Sequence, residues 1–230
     1  MIALASLALA TLAFVGTHLA LSHPLRTRLL QNVGEQGFLA IYSGVALVTL
    51  GWIIFAYRAV RNSFPFWVAP SWAWPAAAGV MLVACILLVG SFVRNPAFPH
   101  PGTGPRPARP ASGVFAVTRH PMNIAVILWA LVHIALWGSP RNVIVAGGIL
   151  VLALAGSIGQ DRKKIDVIGA PWRAWMAQTS FVPFAALLAG RAKWRGLGEA
   201  WPALLGGLLL WLAIIWFHAP EALAIVAPGR

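Results

Sequence analysis

Long apolar runs alternate along the chain with short segments that carry most of its polar and charged residues. A helix rises about 1.5 Å per residue, so about 20 apolar residues cross a hydrocarbon core of about 30 Å. Lipid cannot satisfy open backbone groups, so such runs form helices rather than strands. The runs near this length are residues 2–21, 38–57, 72–92, 121–137, 142–159 and 202–218. The pattern predicts an all-α polytopic membrane bundle of about six transmembrane helices, forming one domain over residues 1–230.

The composition excludes the soluble classes of protein. Hydrophobic residues make up 60% of the chain and charged residues only 10%, whereas a soluble domain carries about 25% charged residues. A net charge of +12 is also found in proteins that bind nucleic acid. Here, however, the basic residues lie between apolar runs and form no separate polar domain. The expected partner is therefore the lipid bilayer and not nucleic acid.

The basic residues between the runs predict the orientation of the helices, because cytoplasmic loops carry an excess of lysine and arginine. The segments after the first, third and fifth runs contain two, four and seven of these residues. The segments after the second and fourth runs and the C-terminal segment contain two, one and one. The first set of segments thus contains thirteen lysines and arginines and the second set four, which places the first set in the cytoplasm and both termini outside. In a Gram-negative bacterium this is a multi-pass inner-membrane protein with periplasmic termini.

Two of the predicted cytoplasmic segments are long. Six prolines between Pro96 and Pro110 exclude a helix from residues 93–116 and predict an extended connector. In residues 160–201, Pro171 can open a short helix before the last span. The residues on one side of that helix are Trp172, Trp175, Met176 and Thr179. An apolar stripe beside basic residues fits a helix in the membrane interface, and it fits equally well a helix packed beneath the bundle.

Carboxylates and thiols offer little chemistry inside the predicted spans. The acidic residues all lie at or beyond span ends, which argues against the proton relay of a transporter; they are Glu35, Asp161, Asp166, Glu199 and Glu221. Cys85 is the single cysteine, so the chain has no disulfide framework and no thiolate metal site.

Two histidines, His18 and His133, lie within predicted spans. An ionisable group in hydrocarbon marks either a hydrogen bond between helices or a functional site. Two imidazoles on separate helices can hold a haem iron from both faces, because iron binds imidazole nitrogen well. Phe14 lies one turn before His18, and Trp129 and Trp137 lie one turn to either side of His133. We therefore predict that His18 and His133 are iron ligands and that these aromatic residues, Trp129 among them, line a haem.

Arg119 and His120 come directly before Pro121, which suits the first turn of the fourth helix. Arg119 is predicted to anchor or position a ligand, for example a haem propionate, because guanidinium pairs well with carboxylate. An ordinary helix start with an arginine reaching the interface fits the same residues. Depth in the membrane favours His120 as the partner of His18, whereas the neighbouring tryptophans favour His133. We favour His133 and keep His120 as the alternative.

Several blocks resemble the NnrU family of bacterial membrane proteins: "THLALSHPLRTRLLQNVGEQGFLAIYSGVAL", "TRHPMNIAVILWALVHI", "DRKKIDVIGAPWRAWMAQTSFVPF" and "LLAGR". The resemblance implies an inner-membrane protein associated with nitrite and nitric oxide reduction. The family is also similar to zeta-carotene isomerase, a membrane haem b enzyme that isomerises a cis double bond. That similarity implies haem b and assigns its histidines to His18 and His133. The chain departs from the isomerase pattern at Ala130, where the isomerase has cysteine, and at Gly159 or Gln160, where it has histidine.

Four functions are consistent with these features. The first is a haem b protein of denitrification, working with a redox partner or a reductase-assembly protein. The second is a haem-dependent cis–trans isomerase of a carotenoid or another apolar polyene. The third, suggested by the Arg-His-Pro sequence, is a methyltransferase acting on a membrane substrate, and the fourth is a non-enzymatic scaffold.

Overall fold

The computed structural model describes residues 2–61, 63–93, 95–96 and 110–226, in which the regular structure is helical. In chain order the α-helices are α1 (Ile2–Ser22), α2 (Arg26–Ala59), α3 (Ala73–Gly90), α4 (Val114–Val117), α5 (Pro121–Leu136), α6 (Pro140–Ile168), α7 (Ala170–Gln178), α8 (Ala185–Leu188) and α9 (Trp201–Val226). A 3₁₀ helix, Trp194–Ala200, leads into α9. Most of the predicted proline-rich connector, residues 97–109, lies outside the described residues.

The predicted membrane spans correspond to helices. Within the described residues, five segments are long and apolar enough to cross a bilayer: α1, α2, α3, α6 and Trp194–His218. The remaining predicted span is α5, which has 16 residues and rises about 24 Å, less than a hydrocarbon core of about 30 Å. The all-α polytopic class is therefore confirmed, with α5 as a shorter apolar helix.

Helix α2 begins well before the predicted span and contains a kink. Gly34 has φ 71° and ψ −179°, so two helical stretches meet there at a non-helical residue. Glycine adopts positive φ without the steric cost that a Cβ imposes, which explains why the chain can turn at this position. The stretch after Gly34 contains the predicted span of residues 38–57.

The chain packs as two compact units, Met1–Ala69 with Ala130–Gln160, and Pro70–Trp129 with Asp161–Arg230. The single domain expected over residues 1–230 stays a prediction. The core of the first unit is formed by Leu7, Ala10, Ile53, Ala56 and Val60. The main core of the second unit includes Ala84, Leu87, Val114, Phe115, Ile124, Ala125, Trp172, Trp175 and Ala203.

The apolar stripe of α7 is part of the core of the second unit. Trp172 and Trp175 are buried, and the ring of Trp175 lies 6.1 Å from that of Phe115, at a steep angle. Thr179, at the end of the same stripe, is also buried. The structure therefore agrees with the second of the two predicted alternatives, a helix packed beneath the bundle, because protein side chains already cover the stripe.

Within the second unit, α3 and α9 approach each other closely at Gly207. A Cβ added there would lie 2.5 Å from the backbone Cα of Ile86, a contact that only movement of a helix can relieve. Small residues allow such close approach between membrane helices. We expect Gly207→Ala to lower the free energy of unfolding by about 1–3 kcal/mol, the usual cost of overpacking. Thermal or denaturant unfolding in detergent measures the change.

Gly79, also in α3, is the matched control for this substitution. A Cβ at Gly79 would meet no atom within 4 Å, and alanine is favoured over glycine in a helix by about 0.5–1 kcal/mol. Gly79→Ala is therefore expected to be neutral or stabilising. Equal stabilities for the two variants would contradict the close approach of α3 and α9.

Candidate functional site

His18 lies in α1, within the first unit, with one ring nitrogen already engaged. Its Nδ1 is 2.8 Å from the backbone oxygen of Phe14, one turn earlier. A carbonyl oxygen only accepts hydrogen bonds, so Nδ1 is the nitrogen that carries the proton. In the neutral ring the lone pair is then on Nε2, which is the tautomer that a metal-binding histidine needs.

Aromatic rings surround the imidazole of His18. The Phe14 ring lies 4.0 Å from it between centroids, and the Tyr42 ring of α2 approaches edge-on at 5.3 Å. Phe38, one turn before Tyr42, extends the group with a ring separation of 5.9 Å. Phe14 was predictable from the sequence but Tyr42 was not, because an apolar run does not show which of its faces meets α1. The group forms a flat-sided, largely apolar surface around one imidazole.

His133 lies in the last turn of α5 and is half-buried in the first unit. Its backbone oxygen accepts a hydrogen bond of 2.7 Å from Nδ2 of Asn142, at the start of α6. The same amide nitrogen lies 2.6 Å from the backbone oxygen of Trp137. Asn142 therefore connects the end of α5 to the beginning of α6. His133 consequently lies near the level at which α6 begins.

Contacts between α1 and α6 define the height of His18 in the first unit. Gly148 lies directly against Thr11, and Gly159 lies directly against His23, just beyond α1. The two helices therefore run in the same direction in this unit, with a constant offset between their residue numbers. His18 is consequently much nearer the level of Gly159 than the level at which α6 begins.

The levels of His18 and His133 differ by about 13 residues of helix, or about 20 Å, along the axis of α6. The Cα–Cβ bonds of a helix tilt toward its N-terminus, so the two side chains lean toward each other from helices of opposite direction. The separation is nevertheless longer than two imidazoles and one iron span between upright helices. The identity of the second iron ligand is therefore the most direct test of a haem site.

Arg119 and His120 meet Asp161 of α6 in the second unit. The Arg119 guanidinium donates to both carboxylate oxygens, from Nε at 3.0 and 3.1 Å and from Nη2 at 2.7 Å. Nε2 of His120 lies 3.0 Å from Oδ1 of the same carboxylate. The exposed side-chain fractions are 9% for Arg119, 4% for His120 and 16% for Asp161. We call these three residues the Arg–His–Asp cluster.

The segment that follows α7 supports the Arg–His–Asp cluster. The backbone N–H of Arg119 donates to the backbone oxygen of Ser180 at 2.7 Å. The hydroxyl of Thr118 donates to the backbone oxygen of Phe181 at 2.8 Å. Nη1 of Arg119 also lies 3.4 Å from the Thr179 hydroxyl. These contacts add to the charge-assisted, bidentate pairing of Arg119 with Asp161, which is strong and directional. Together they hold Arg119 in one orientation.

Asp161 is the residue of this cluster that sequence reasoning missed. It was counted only as a carboxylate beyond a span, although it stands first in the acidic-basic-basic "DRKK" segment. Its partner Arg119 is 42 residues away in the sequence. The available signal was that Asp161 is one of few acidic residues and lies near a span end. The neighbouring sequence does not indicate that Arg119 is its partner.

Trp129 belongs to the second unit and not to the unit that contains His133. It lines an apolar cavity of about 140 Å³ together with side chains of α3, α5 and α9; Met81, Ala84, Cys85, Leu88, Ala125, Val126 and Ile214 complete the lining. The predicted site residues thus divide into two groups: His18 and His133 in the first unit, and Arg119, His120 and Trp129 in the second.

Comparison with known proteins identifies the family. The family model described as NnrU protein matches residues 6–227. The chain belongs to the NnrU family. The resemblance found in the sequence is therefore confirmed over nearly the whole chain.

The NnrU-family chain is also similar to two plant proteins. The 15-cis-zeta-carotene isomerase, chloroplastic, of Zea mays is 30% identical over 82 residues, which are 36% of this chain and 22% of the relative. The protein of the same name from Arabidopsis thaliana is 30% identical over 80 residues, 35% of this chain and 22% of the relative. The chain thus spans about a fifth of the length of these curated relatives. No solved structure matches it.

Proposed function

We propose that this NnrU-family protein binds haem b within the membrane, with His18 as an axial ligand of the iron. The observation that carries the proposal is the hydrogen bond of 2.8 Å between Nδ1 of His18 and the Phe14 carbonyl, made within a group of aromatic rings. It orients the ring and leaves Nε2 as the coordinating nitrogen, the arrangement that metal-binding histidines usually have.

The surroundings of His18 suit a porphyrin. Haem iron accepts imidazole nitrogen, and its macrocycle packs well against apolar and aromatic side chains. The rings of Phe14 and Tyr42 supply such surfaces beside the imidazole. Bound haem would supply one-electron redox chemistry, while the protein fixes the ring orientation and excludes water. The proposal concerns His18 alone; the second ligand, His133 or alternatively His120, stays a prediction from the sequence.

A redox role beside the enzymes that reduce nitrite and nitric oxide is the physiological part of this proposal. It rests on the resemblance to the NnrU family. Its partner would be a redox protein or a reductase-assembly protein in the same membrane.

A second candidate function is cis–trans isomerisation of an apolar polyene. It is favoured by the similarity to the two proteins named 15-cis-zeta-carotene isomerase. No observation on the described residues favours the methyltransferase or the scaffold, so neither is proposed.

Spectroscopy of the purified protein tests both candidates. With haem supplied during expression, we expect a sharp b-type band in the reduced-minus-oxidised spectrum, and a protein that takes up no haem would overturn the first proposal. The reduced protein is then mixed with a 15-cis polyene in detergent, and the products are separated by chromatography. Isomerised product supports the second function. An unchanged polyene with intact haem contradicts the second function alone.

We also propose an inner-membrane location with both termini in the periplasm. The proposal is supported by the asymmetry of basic residues, thirteen against four between alternate segments. Alkaline phosphatase fused after Arg230 is expected to be active, whereas a fusion within residues 160–200 is expected to be inactive. The reverse pattern of activity would invert the topology.

A further inference from the structure

The segment between α7 and α9 carries exposed apolar and basic side chains that the haem proposal does not use. We propose that this surface, residues 182–201 of the second unit, lies in the headgroup region of the membrane and binds anionic phospholipid. We call it the 182–201 surface. The proposal is independent of the proposed haem site, which lies in the first unit.

The segment that carries the 182–201 surface is firmly packed on its inner side. Ala186, Leu187 and Ala192 are buried and form a small core with Ala116. The backbone N–H of Ala186 also donates to the Ser180 hydroxyl at 3.0 Å. These contacts hold the segment against its unit, so its outward residues are presented from a fixed backbone.

The other side exposes large apolar residues. Leu188 is 77% exposed and Trp194 is 56% exposed, and the further members are Val182, Phe184 and Trp201. The four-residue α8 is too short to cross a bilayer. The 3₁₀ helix is the first part of the spanning segment Trp194–His218, where a span enters the membrane interface. Exposure of such large apolar side chains to water is unfavourable. Lipid at the membrane interface covers such a surface without a transmembrane span.

Phe184, at the start of α8, has a left-handed backbone conformation. Its φ is 64°, in the left-handed region that is unfavourable for a residue with a side chain. Its N–H donates to the backbone oxygen of Val117 at 2.8 Å, which helps to maintain this conformation. Strain of this kind persists where the surroundings impose it, frequently at functional surfaces. Here the strained residue leaves its aromatic ring exposed.

The charges on the surface favour anionic lipid over neutral lipid. Arg191, Lys193 and Arg195 are all exposed, and Lys193 and Arg195 flank Trp194 in the sequence. The acidic member, Glu199, accepts a hydrogen bond of 2.8 Å from the Ser112 hydroxyl. Basic side chains beside an interfacial tryptophan are typical of segments that bind anionic headgroups.

The location of the surface is tested with a fluorescent bimane label on single cysteines in a Cys85→Ala background, in nanodiscs. At Leu188→Cys and Trp194→Cys we expect strong quenching by brominated lipid and weak quenching by iodide in the water. Asp166→Cys, at an exposed residue of α6, is the control and should show the opposite pattern. Labels at 188 and 194 that iodide quenches as well as it quenches the label at 166 would overturn the proposal. Labels protected from both quenchers would also overturn it, and would indicate a second copy or another protein on this surface.

The lipid preference is tested by comparing brominated phosphatidylglycerol with brominated phosphatidylcholine as quenchers of the label at 188. We expect phosphatidylglycerol to be preferred and Lys193→Gln/Arg195→Gln to reduce that preference by up to about thirtyfold, since each basic side chain near an anionic surface contributes about fivefold. Arg58→Gln/Arg61→Gln removes the same charge from exposed residues at the end of α2 and should leave the preference unchanged. Equal quenching by the two lipids in the wild type, or equal losses in the two double variants, would overturn the binding of anionic lipid to this surface.

Discussion

Replacing His18 by alanine should abolish the b-type spectrum of the haem-loaded protein, because the substitution removes the proposed iron ligand while leaving α1 intact. Alanine is a good helix former, and the Phe14 carbonyl remains bonded within the helix, so the protein should still be recovered from the membrane. The measurement is the reduced-minus-oxidised spectrum together with the haem-to-protein ratio. A His18→Ala protein that retains wild-type haem and spectrum would contradict the role of His18.

His218 provides the matched control for this substitution. Its Nδ1 lies 2.9 Å from the backbone oxygen of Ile214, the same local bond that His18 makes, but the residue is exposed. We expect His218→Ala to leave the spectrum unchanged, which separates haem ligation from an ordinary helical histidine.

The variants His133→Ala and His120→Ala then identify the second ligand. Loss of the low-spin band in His133→Ala supports the pair predicted from the sequence. Loss in His120→Ala, with His133→Ala unaffected, contradicts that pair and supports the alternative. An unchanged spectrum in both variants would exclude both histidines and leave His18 as the only histidine ligand of the three.

Asp161→Ala should lower the free energy of unfolding by about 3–5 kcal/mol, the typical cost of removing one partner from a buried ion pair. The carboxylate receives hydrogen bonds from Arg119 through two nitrogens and lies 3.0 Å from Nε2 of His120. Its removal would leave the Arg119 guanidinium, with a side chain only 9% exposed, without its countercharge. Thermal or denaturant unfolding of the full-length protein in detergent measures the loss.

Asp166, in the same helix but exposed, is the control for the loss of a negative charge. We expect Asp166→Ala to change stability by less than about 0.5 kcal/mol, as for most surface substitutions. A double-mutant cycle with Arg119→Ala separates pairing from packing: the double variant should lose less than the sum of the single variants. Additive losses would show that Arg119 and Asp161 are not energetically coupled.

The candidate sites were predictable to different degrees. His18 and Phe14 were identifiable because one turn of helix brings residues four apart onto the same face. Tyr42 was not, because every side of an apolar run is compatible with lipid, so the sequence does not show which face contacts α1. Asp161 was not, because its partner is distant in the sequence and an acid beyond a span end is usually solvated.

The membrane class, the helical content and the approximate positions of the spans could be predicted from the sequence alone. These follow from local properties, since bilayer thickness and the need to satisfy backbone hydrogen bonds act on any apolar run in the same way. Only the tertiary structure decided the contacts of particular side chains: the pairing of Arg119 with Asp161, the burial of the α7 tryptophans, and the exposure of Leu188 and Trp194 instead. Such contacts depend on the rotation and register of one helix against another. The packing of many residues sets these together, and no single segment encodes them.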